Sequence, residues 1–536
     1  SLLMLLNIFS DPSKIADSII LTFIKDMNFN YDLYFQVLVI FLIIFLIKTI
    51  VVIFIHWNEN KYIFNTRAQL SKEYFKGYLY LPRIFHLRTN MSETIKNITT
   101  EIEHLIAAIH ACAIILMETI ILFGLVIFLL FINFKIALFS FFSLLVFSYI
   151  MSYFNSKKIL EMGRERVRLF QLRLKYIIEG LGGSKVFALT GSQKKIMTDF
   201  NNYNFKIADI STNVGFRGNL PRPLFELFIL FIVVLFFFFA TKNNSDIKAI
   251  VPTLGVFLSA AYRLAPSFGR IMSNLQRFQF NIQSADKLSR DKQKFLVQDL
   301  KNEKENELNF KNNITFKNTG FSYNKNLKLD KNFVIKNLSC EINKGSKVGI
   351  MGESGSGKST FLDLLMGLMN PQKGKILIDG KEMHNVRNSW QKIIGCVPQE
   401  VFITDASLKK NIAFGLSDEE IDTNKVNQAI EAANLSDLVK NLNFGIETIV
   451  GEKGSRISGG QRQRIGIARA LYNDPEVLVF DEATNALDIQ TEKNVINEIF
   501  SLGKNKTIIF VSHNLENLKF CQYIFKIKER NLIKID

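Results

Sequence analysis

The stretch Gly352-Glu353-Ser354-Gly355-Ser356-Gly357-Lys358-Ser359-Thr360 carries the chemistry most directly readable in this chain. Its glycines let successive backbone N–H groups turn inward on phosphate oxygens. Lys358 reaches the β and γ oxygens, and Ser359 offers a hydroxyl to Mg2+. An apolar strand over Lys347 to Met351 leads into the loop and an apolar helix from Thr360 to Leu368 leaves it. The helix N-terminus then adds the positive end of its dipole to the cradle. The predicted ligand is a nucleoside triphosphate with its magnesium ion. Tyr323, in Gly320-Phe321-Ser322-Tyr323, is the flat aromatic candidate for stacking on adenine, which makes ATP the expected nucleotide.

Further downstream, Asp481 ends the apolar strand Val477 to Phe480, a position from which a carboxylate reaches the hydration shell of the metal. Glu482 is next in line for the attacking water, as a general base. Gln399, just after the strand Gly395 to Pro398, is placed to sense both the metal and the membrane half. His513 closes the strand Thr507 to Ser512 and offers one hydrogen bond to the γ-phosphate. The metal set is therefore Ser359, Gln399 and Asp481. Ser458-Gly459-Gly460-Gln461 opens another helical run and presents a second set of N–H groups suited to phosphate. One chain does not easily bring both glycine loops to one nucleotide. A head-to-tail pair of chains does, with ATP between the loop of one copy and the Ser458 segment of the other.

These groups need elements to hold them, and the composition indicates which. The 536 residues are 48% hydrophobic, with 49 Phe gathered into long runs. The runs 33–57, 106–132, 136–154, 224–240 and 247–264 are each read as a membrane span, since about 20 apolar residues cross the hydrocarbon core. Asn133-Phe134-Lys135 reads as a tight turn between two of them, and Pro252 and Gly255 interrupt the last. The chain opens on a short apolar piece, Leu2 to Phe9, without a basic n-region. The expectation is a truncated N-terminus that has lost most of one membrane helix. A net charge of +17 accompanies apolar runs, so it is assigned to the positive-inside rule rather than to nucleic acid. The basic segments Asn58 to Glu103 and Asn155 to Asn219 accordingly face the cytoplasm. Each is broken once, at Leu81 to Phe85 and at Gly180 to Lys185. Four scattered cysteines, Cys112, Cys340, Cys396 and Cys521, fit neither a disulfide framework nor a zinc site.

The division expected is a membrane part over 1–290, a charged linker over 291–313, and an α/β domain with a mainly parallel sheet over 314–536. Within the spans, Lys48, Arg222 and Arg263 are the cations that mark a transport path, because a charge at mid-span costs about 2.5–3.5 kcal/mol on insertion scales. Glu118 and Glu226 neutralise some of this charge. A cationic cavity implies an anionic cargo with a greasy remainder, such as a lipid phosphate or pyrophosphate.

The whole pattern resembles a half-transporter of the ATP-binding cassette exporter superfamily. The resemblance implies an all-α transmembrane domain of the type I exporter kind, six helices with the first mostly missing, and an α/β P-loop nucleotide-binding domain. It makes Gly352 to Ser359 Walker A, Gln399 the Q-loop, Ser458 to Gln461 the signature, Asp481 and Glu482 Walker B with the catalytic base, Ala486-Leu487-Asp488 the D-loop, and His513 the switch histidine. The stretch Thr448 to Gly454 is similar to the X-loop of exporters, and the two cytoplasmic breaks resemble coupling helices. Ile457, Asn485 and Asn514 depart from the common Leu, Ser and Arg without removing a catalytic group. Ser245-Asp246-Ile247, Ala261 to Ser267 with Arg270-Ile271, and Asn133 to Ile136 resemble bacterial flippases of lipid-linked oligosaccharides. That likeness implies a multi-pass protein of the bacterial inner membrane working as a homodimer on a polyprenyl-pyrophosphate glycan. Export of a peptide, a drug or another lipid is the alternative within transport, and a non-transporting cassette ATPase lies outside it.

Overall fold

The computed structural model describes residues 33–535 apart from 133, 243–246, 303–306, 325–332, 452–453, 455, 485–488 and 503–505. The N-terminal remnant expected over Leu2 to Phe9 lies outside the described residues. The chain divides into two compact units, residues 1–79 with 91–293, and residues 80–90 with 294–536.

The first unit is helical. Its described helices are α1 (Leu33–Leu79), α3 (Met91–Lys96), α4 (Ile102–Ile132), α5 (Phe134–Gly182), α6 (Ser184–Thr190), α7 (Gln193–Asn219), α8 (Pro221–Lys242), α9 (Ile247–Asn281) and most of α10 (Gln283–Asn302), with α2 (Arg83–Arg88) in the other unit. All five expected spans lie inside helices, but the helices run well past them. At 47 and 49 residues, α1 and α5 are about 70 Å long, more than twice the hydrocarbon thickness. Among the described residues, Phe41–Leu79, Met91–Phe128 and Gln193–Leu235 are long and apolar enough to cross a membrane. The interruption at Pro252 and Gly255 does not break α9, which is continuous from Ile247 to Asn281. Between α4, α5, α8 and α9 a core forms from Leu122, Leu144, Phe225, Leu264 and Phe268. Large apolar side chains on α1 from Leu42 to Ile55 are exposed, as an element facing lipid requires.

Within the expected linker 291–313, α10 continues to Asn302. Leu288, Asp291 and Phe295 recur at helical spacing on one buried face. Asp291 accepts hydrogen bonds from Tyr78 Oη at 2.7 Å and Asn97 Nδ2 at 3.2 Å, which satisfies a carboxylate the sequence marks as exposed.

The second unit holds two sheets. β1 (Asn313–Phe321), β2 (Ile335–Asn343), β4 (Lys373–Ile378) and β5 (Lys381–Glu382) form an antiparallel sheet in the order β2-β1-β4-β5. The larger sheet runs β10-β9-β3-β8-β7-β6, built from β3 (Lys347–Gly352), β6 (Ile394–Val397), β7 (Val477–Asp481), β8 (Thr507–Val511), β9 (Tyr523–Lys528) and β10 (Asn531–Ile535). All its pairings are parallel except β9 with β10. The four strands expected from apolar runs lie side by side as β3-β8-β7-β6. β8 is buried throughout and β7 over its first four residues, which is why they read as unbroken apolar runs.

Candidate functional site

Four parallel strands deliver the site, β3, β6, β7 and β8. β3 ends at Gly352, and the loop that follows enters α11 (Lys358–Leu365). The chain can make this turn only with glycine at two points. A Cβ on Gly352 would lie 2.6 Å from Ser356 Oγ, and Gly357 caps α11 with φ of +106°. The turn folds Lys358 back so that Nζ donates to the carbonyls of Gly352 at 2.9 Å and Glu353 at 3.1 Å. Among the described residues, Ser356 Oγ is buried in the loop without a hydrogen-bond partner. An orphaned hydroxyl inside a ring of backbone amides fits a phosphate ligand.

β6, β7 and β8 bring the remaining groups to the same edge. Glu482 takes a left-handed backbone, φ +51°, and its amide donates to Val511 O at 3.2 Å. For a residue other than glycine this is a conformation held by its surroundings. It places the buried carboxylate 2.7 Å from His513 Nε2, 3.5 Å from Lys358 Nζ and 3.2 Å from Gln399 Nε2. Lys358 Nζ and His513 Nε2 are themselves 3.3 Å apart. Loop lysine, candidate base, glutamine and histidine, separated in sequence, therefore share one constellation. Asp481 is hydrogen-bonded to Ser359. Burial pushes its carboxyl above the usual carboxylate range, and the Ser359 hydroxyl pulls it back. Tyr323 Oη is 2.9 Å from Thr360 Oγ1, with Phe321 edge-on to its ring.

Among the described residues no cluster of three or more His, Cys, Asp or Glu is arranged to hold a metal. The adjacent Ser359 hydroxyl and Asp481 carboxylate nevertheless fit Mg2+, which keeps most of its waters and takes one or two protein ligands beside phosphate.

Ser458 caps α12 (Gly459–Leu471) through a reciprocal capping box. The Gln461 amide donates to Ser458 Oγ at 3.2 Å, and the Ser458 amide donates to Gln461 Oε1 at 2.8 Å. Two of the amides expected to face phosphate are thus engaged within the helix start, leaving Gly459 and Gly460 outside the box. Gly459, Arg462 and Gln463 line a cavity of about 580 Å3 with Gln399 and the residues after it. Asp488 and the rest of the expected D-loop lie outside the described residues.

The membrane candidates are less gathered. Lys48 is exposed on α1, its ammonium 5.2 Å over the ring of Phe45. Arg222, at the head of α8, pairs with Glu226 at 3.2 Å on its own helix. Arg263 belongs to α9, but its side chain lies outside the described residues. Glu118 is buried on α4, and its partner is Arg270 of α9, which Ser267 also approaches.

Sequence reasoning missed Asp363. It interrupts the buried run Phe361-Leu362-Asp363-Leu364-Leu365 on α11, and its carboxylate is 2.9 Å from Arg83 Nε. A lone acid in an apolar helical run was the available signal, because a buried charge needs a partner. Burial pushes three of the four thiols, Cys340, Cys396 and Cys521, up to about 12, which leaves them inert.

A strand, glycine loop and helix carrying this constellation, in a chain that also has a unit of long apolar helices, define a membrane protein with a P-loop ATPase domain. A family model described as ABC transporter matches residues 335–485. A solved bacterial Atm1-family ABC exporter with ATP bound superimposes with a TM-score of 0.73 at 22% identity, over 88% of this chain and 82% of that one. An ATP-dependent lipid A-core flippase of Cupriavidus pinatubonensis is 27% identical over 86% of this chain and 77% of its own length. That of Ralstonia nicotianae is 26% identical over 90% and 80%. The leukotoxin translocation ATP-binding protein LktB of Mannheimia haemolytica is 39% identical, over 42% of this chain and 31% of its own length. Residues 335–485 thus carry an ABC transporter domain, which implies ATP binding and hydrolysis coupled to transport, and the chain as a whole is a multi-pass membrane protein that resembles ABC exporters and flippases.

Proposed function

We propose that two copies of this chain flip an anionic lipid-linked substrate, a polyprenyl-pyrophosphate oligosaccharide, from the cytoplasmic to the outer leaflet of the bacterial inner membrane, with the nucleotide domain cytoplasmic. The observation that carries the nucleotide half is the constellation of Lys358, Gln399, Glu482 and His513 at one sheet edge. In this reading the loop amides and Lys358 bind the β and γ phosphates, Tyr323 stacks on adenine, and Ser359, Asp481 and Gln399 hold Mg2+. When bound, the ion neutralises charge on the β and γ oxygens. Glu482 takes the proton of the attacking water and His513 steadies the γ-phosphate. Residues Ser458 to Gln461 and Asp488 of the second copy close the site, since the Ser458 segment borders the Gln399 loop of its own chain.

The cargo half is supported by two near-full-length relatives named for flipping lipid A-core. Cations in the spans add an affinity for anionic headgroups, with Lys48, Arg222 and Arg263 as the substrate contacts. Polypeptide export is favoured by the LktB likeness, but that match covers less than half of this chain. The test is flipping of a polyprenyl-pyrophosphate glycan in reconstituted vesicles. Lys48→Ala and Arg263→Ala are expected to abolish flipping while ATP hydrolysis persists. Unchanged flipping in both variants removes the anionic cargo, and stimulation of hydrolysis by a peptide instead selects the second reading.

A further inference from the structure

The segment Tyr80–Asn90 follows directly on α1 in the chain, yet it packs as part of the nucleotide unit. Its short helix α2 sends Arg83 Nε to Asp363 Oδ2 at 2.9 Å. The Asp363 side chain is 8% exposed and that of Arg83 50%, so the acid is sunk in the unit and the base reaches in from the surface. Ile84 packs against the apolar core that includes Phe361 and Leu364, and Lys294 lies 5.3 Å over the ring of Phe85. The contacts that anchor the segment include this ion pair, the apolar packing of Ile84 and the Lys294–Phe85 contact.

Asp363 stands one helical turn beyond Ser359 on α11, the helix that opens at Lys358. The other side chains around it, Phe361, Leu362, Leu364 and Leu365, are buried and apolar. Burial pushes the Asp363 carboxyl up, and Arg83 is the cation that pulls it back. Arg83, Ser359, Asp363 and Asp481 line one cavity of about 270 Å3, so this guanidinium faces the two residues assigned to the metal. The acid that Arg83 pairs with therefore sits on the helix that positions the phosphate-binding side chains.

We propose that Arg83 is a positioning residue for ATP hydrolysis: through Asp363 it fixes the turn of α11 that carries Ser359, so loss of the pair lowers the hydrolytic rate rather than nucleotide affinity. The inference rests on the reading of Lys358, Ser359 and Asp481 as phosphate and metal groups. Ground-state binding rests on the loop amides and Lys358, with which the Arg83 and Asp363 side chains form no hydrogen bond or ion pair among the described residues. Alignment of the metal ligand with the attacking water is needed only in the transition state.

The experiment uses the full chain in lipid vesicles. Arg83→Ala, Arg83→Lys, Asp363→Asn and the Arg83→Ala/Asp363→Asn double variant are measured for kcat, for KM, for the Kd of trinitrophenyl-ATP with magnesium, and for Tm. Arg83→Ala and Asp363→Asn are each expected to lower kcat about tenfold with Kd held within about twofold, and Arg83→Lys to recover part of the loss. The double variant is expected to be no slower than the slower single one, because both remove the same interaction. Wild-type kcat in Arg83→Ala overturns the proposal. So does a double variant whose losses multiply to about a hundredfold, or a Kd and Tm that collapse in parallel with kcat. A Glu482→Gln control that still hydrolyses ATP marks failure of the site reading instead.

Discussion

The phosphate edge and the membrane cations are both sites inferred from charged residues, and they behave differently. At the phosphate edge, Lys358, Gln399, Glu482 and His513 come from four places in the sequence and meet within 3.5 Å. In the membrane unit, the recorded contacts of Lys48 and Arg222 are with Phe45 and Glu226 on their own helices. A triphosphate has fixed geometry, so its site is assembled by short turns at strand ends. Cations on long helices are spaced by the helix itself and answer to each other only through packing.

The largest expected effect sharpens this contrast. Glu482→Gln keeps the shape of the constellation and removes the base, so ATP turnover falls by roughly 10²–10⁴-fold while bound ATP is retained. Full turnover in that variant would dissolve the catalytic half of the comparison. Lys358→Ala comes next: losing donors to a charged ligand costs about 1.5–3 kcal/mol, or roughly tenfold to a hundredfold in the Kd for ATP, read by a fluorescent analogue.

In the membrane unit the sizes should separate two arginines. Arg270→Ala strands the buried carboxylate of Glu118. Breaking a fully buried pair costs about 3–5 kcal/mol, and the half-exposed Arg270 should lose less but still lower Tm measurably in detergent. Arg222→Ala breaks an exposed pair with Glu226, worth about 0.2–1 kcal/mol, and should leave Tm nearly unchanged. Equal losses in the two would mean that burial does not govern these pairs.

The smallest effect concerns acid. Burial raises the Asp379 carboxyl, but the amides of Lys311, Asn312 and Asn313 outweigh it and hold its pKa below the ordinary carboxylate value. Its stabilisation is full above that ordinary value and disappears as pH falls through the lowered one. Asp379→Asn should therefore flatten the decline of Tm on acidification, and an unchanged acid limb would show that this carboxylate contributes nothing there.

How much was legible follows from distance along the chain. Walker A, the strand ending at Asp481 and the five apolar runs are local patterns, so residue type and spacing were enough. The antiparallel sheet pairs β1 with β2 and β4 through bulged registers that no short window contains. The pairing of Glu118 with Arg270 spans 152 positions, and the sequence offered Lys48, Arg222 and Arg263 as equally plausible partners. The helix running through the expected linker was hidden by its charge, because the buried face of Leu288, Asp291 and Phe295 includes an acid. Asp363 was visible as an anomaly, but its meaning needed Arg83.

That last pair also constrains biogenesis. The ribosome emits residues 80–90 long before α11 exists, and at about 5–20 residues per second their docking surface takes on the order of tens of seconds to emerge. Throughout that interval Ile84 and Arg83 have no seat, while α1 is already inserting into lipid. Docking of this segment therefore finishes late, and a chain stalled before Asp363 leaves an apolar, cationic stub without its seat.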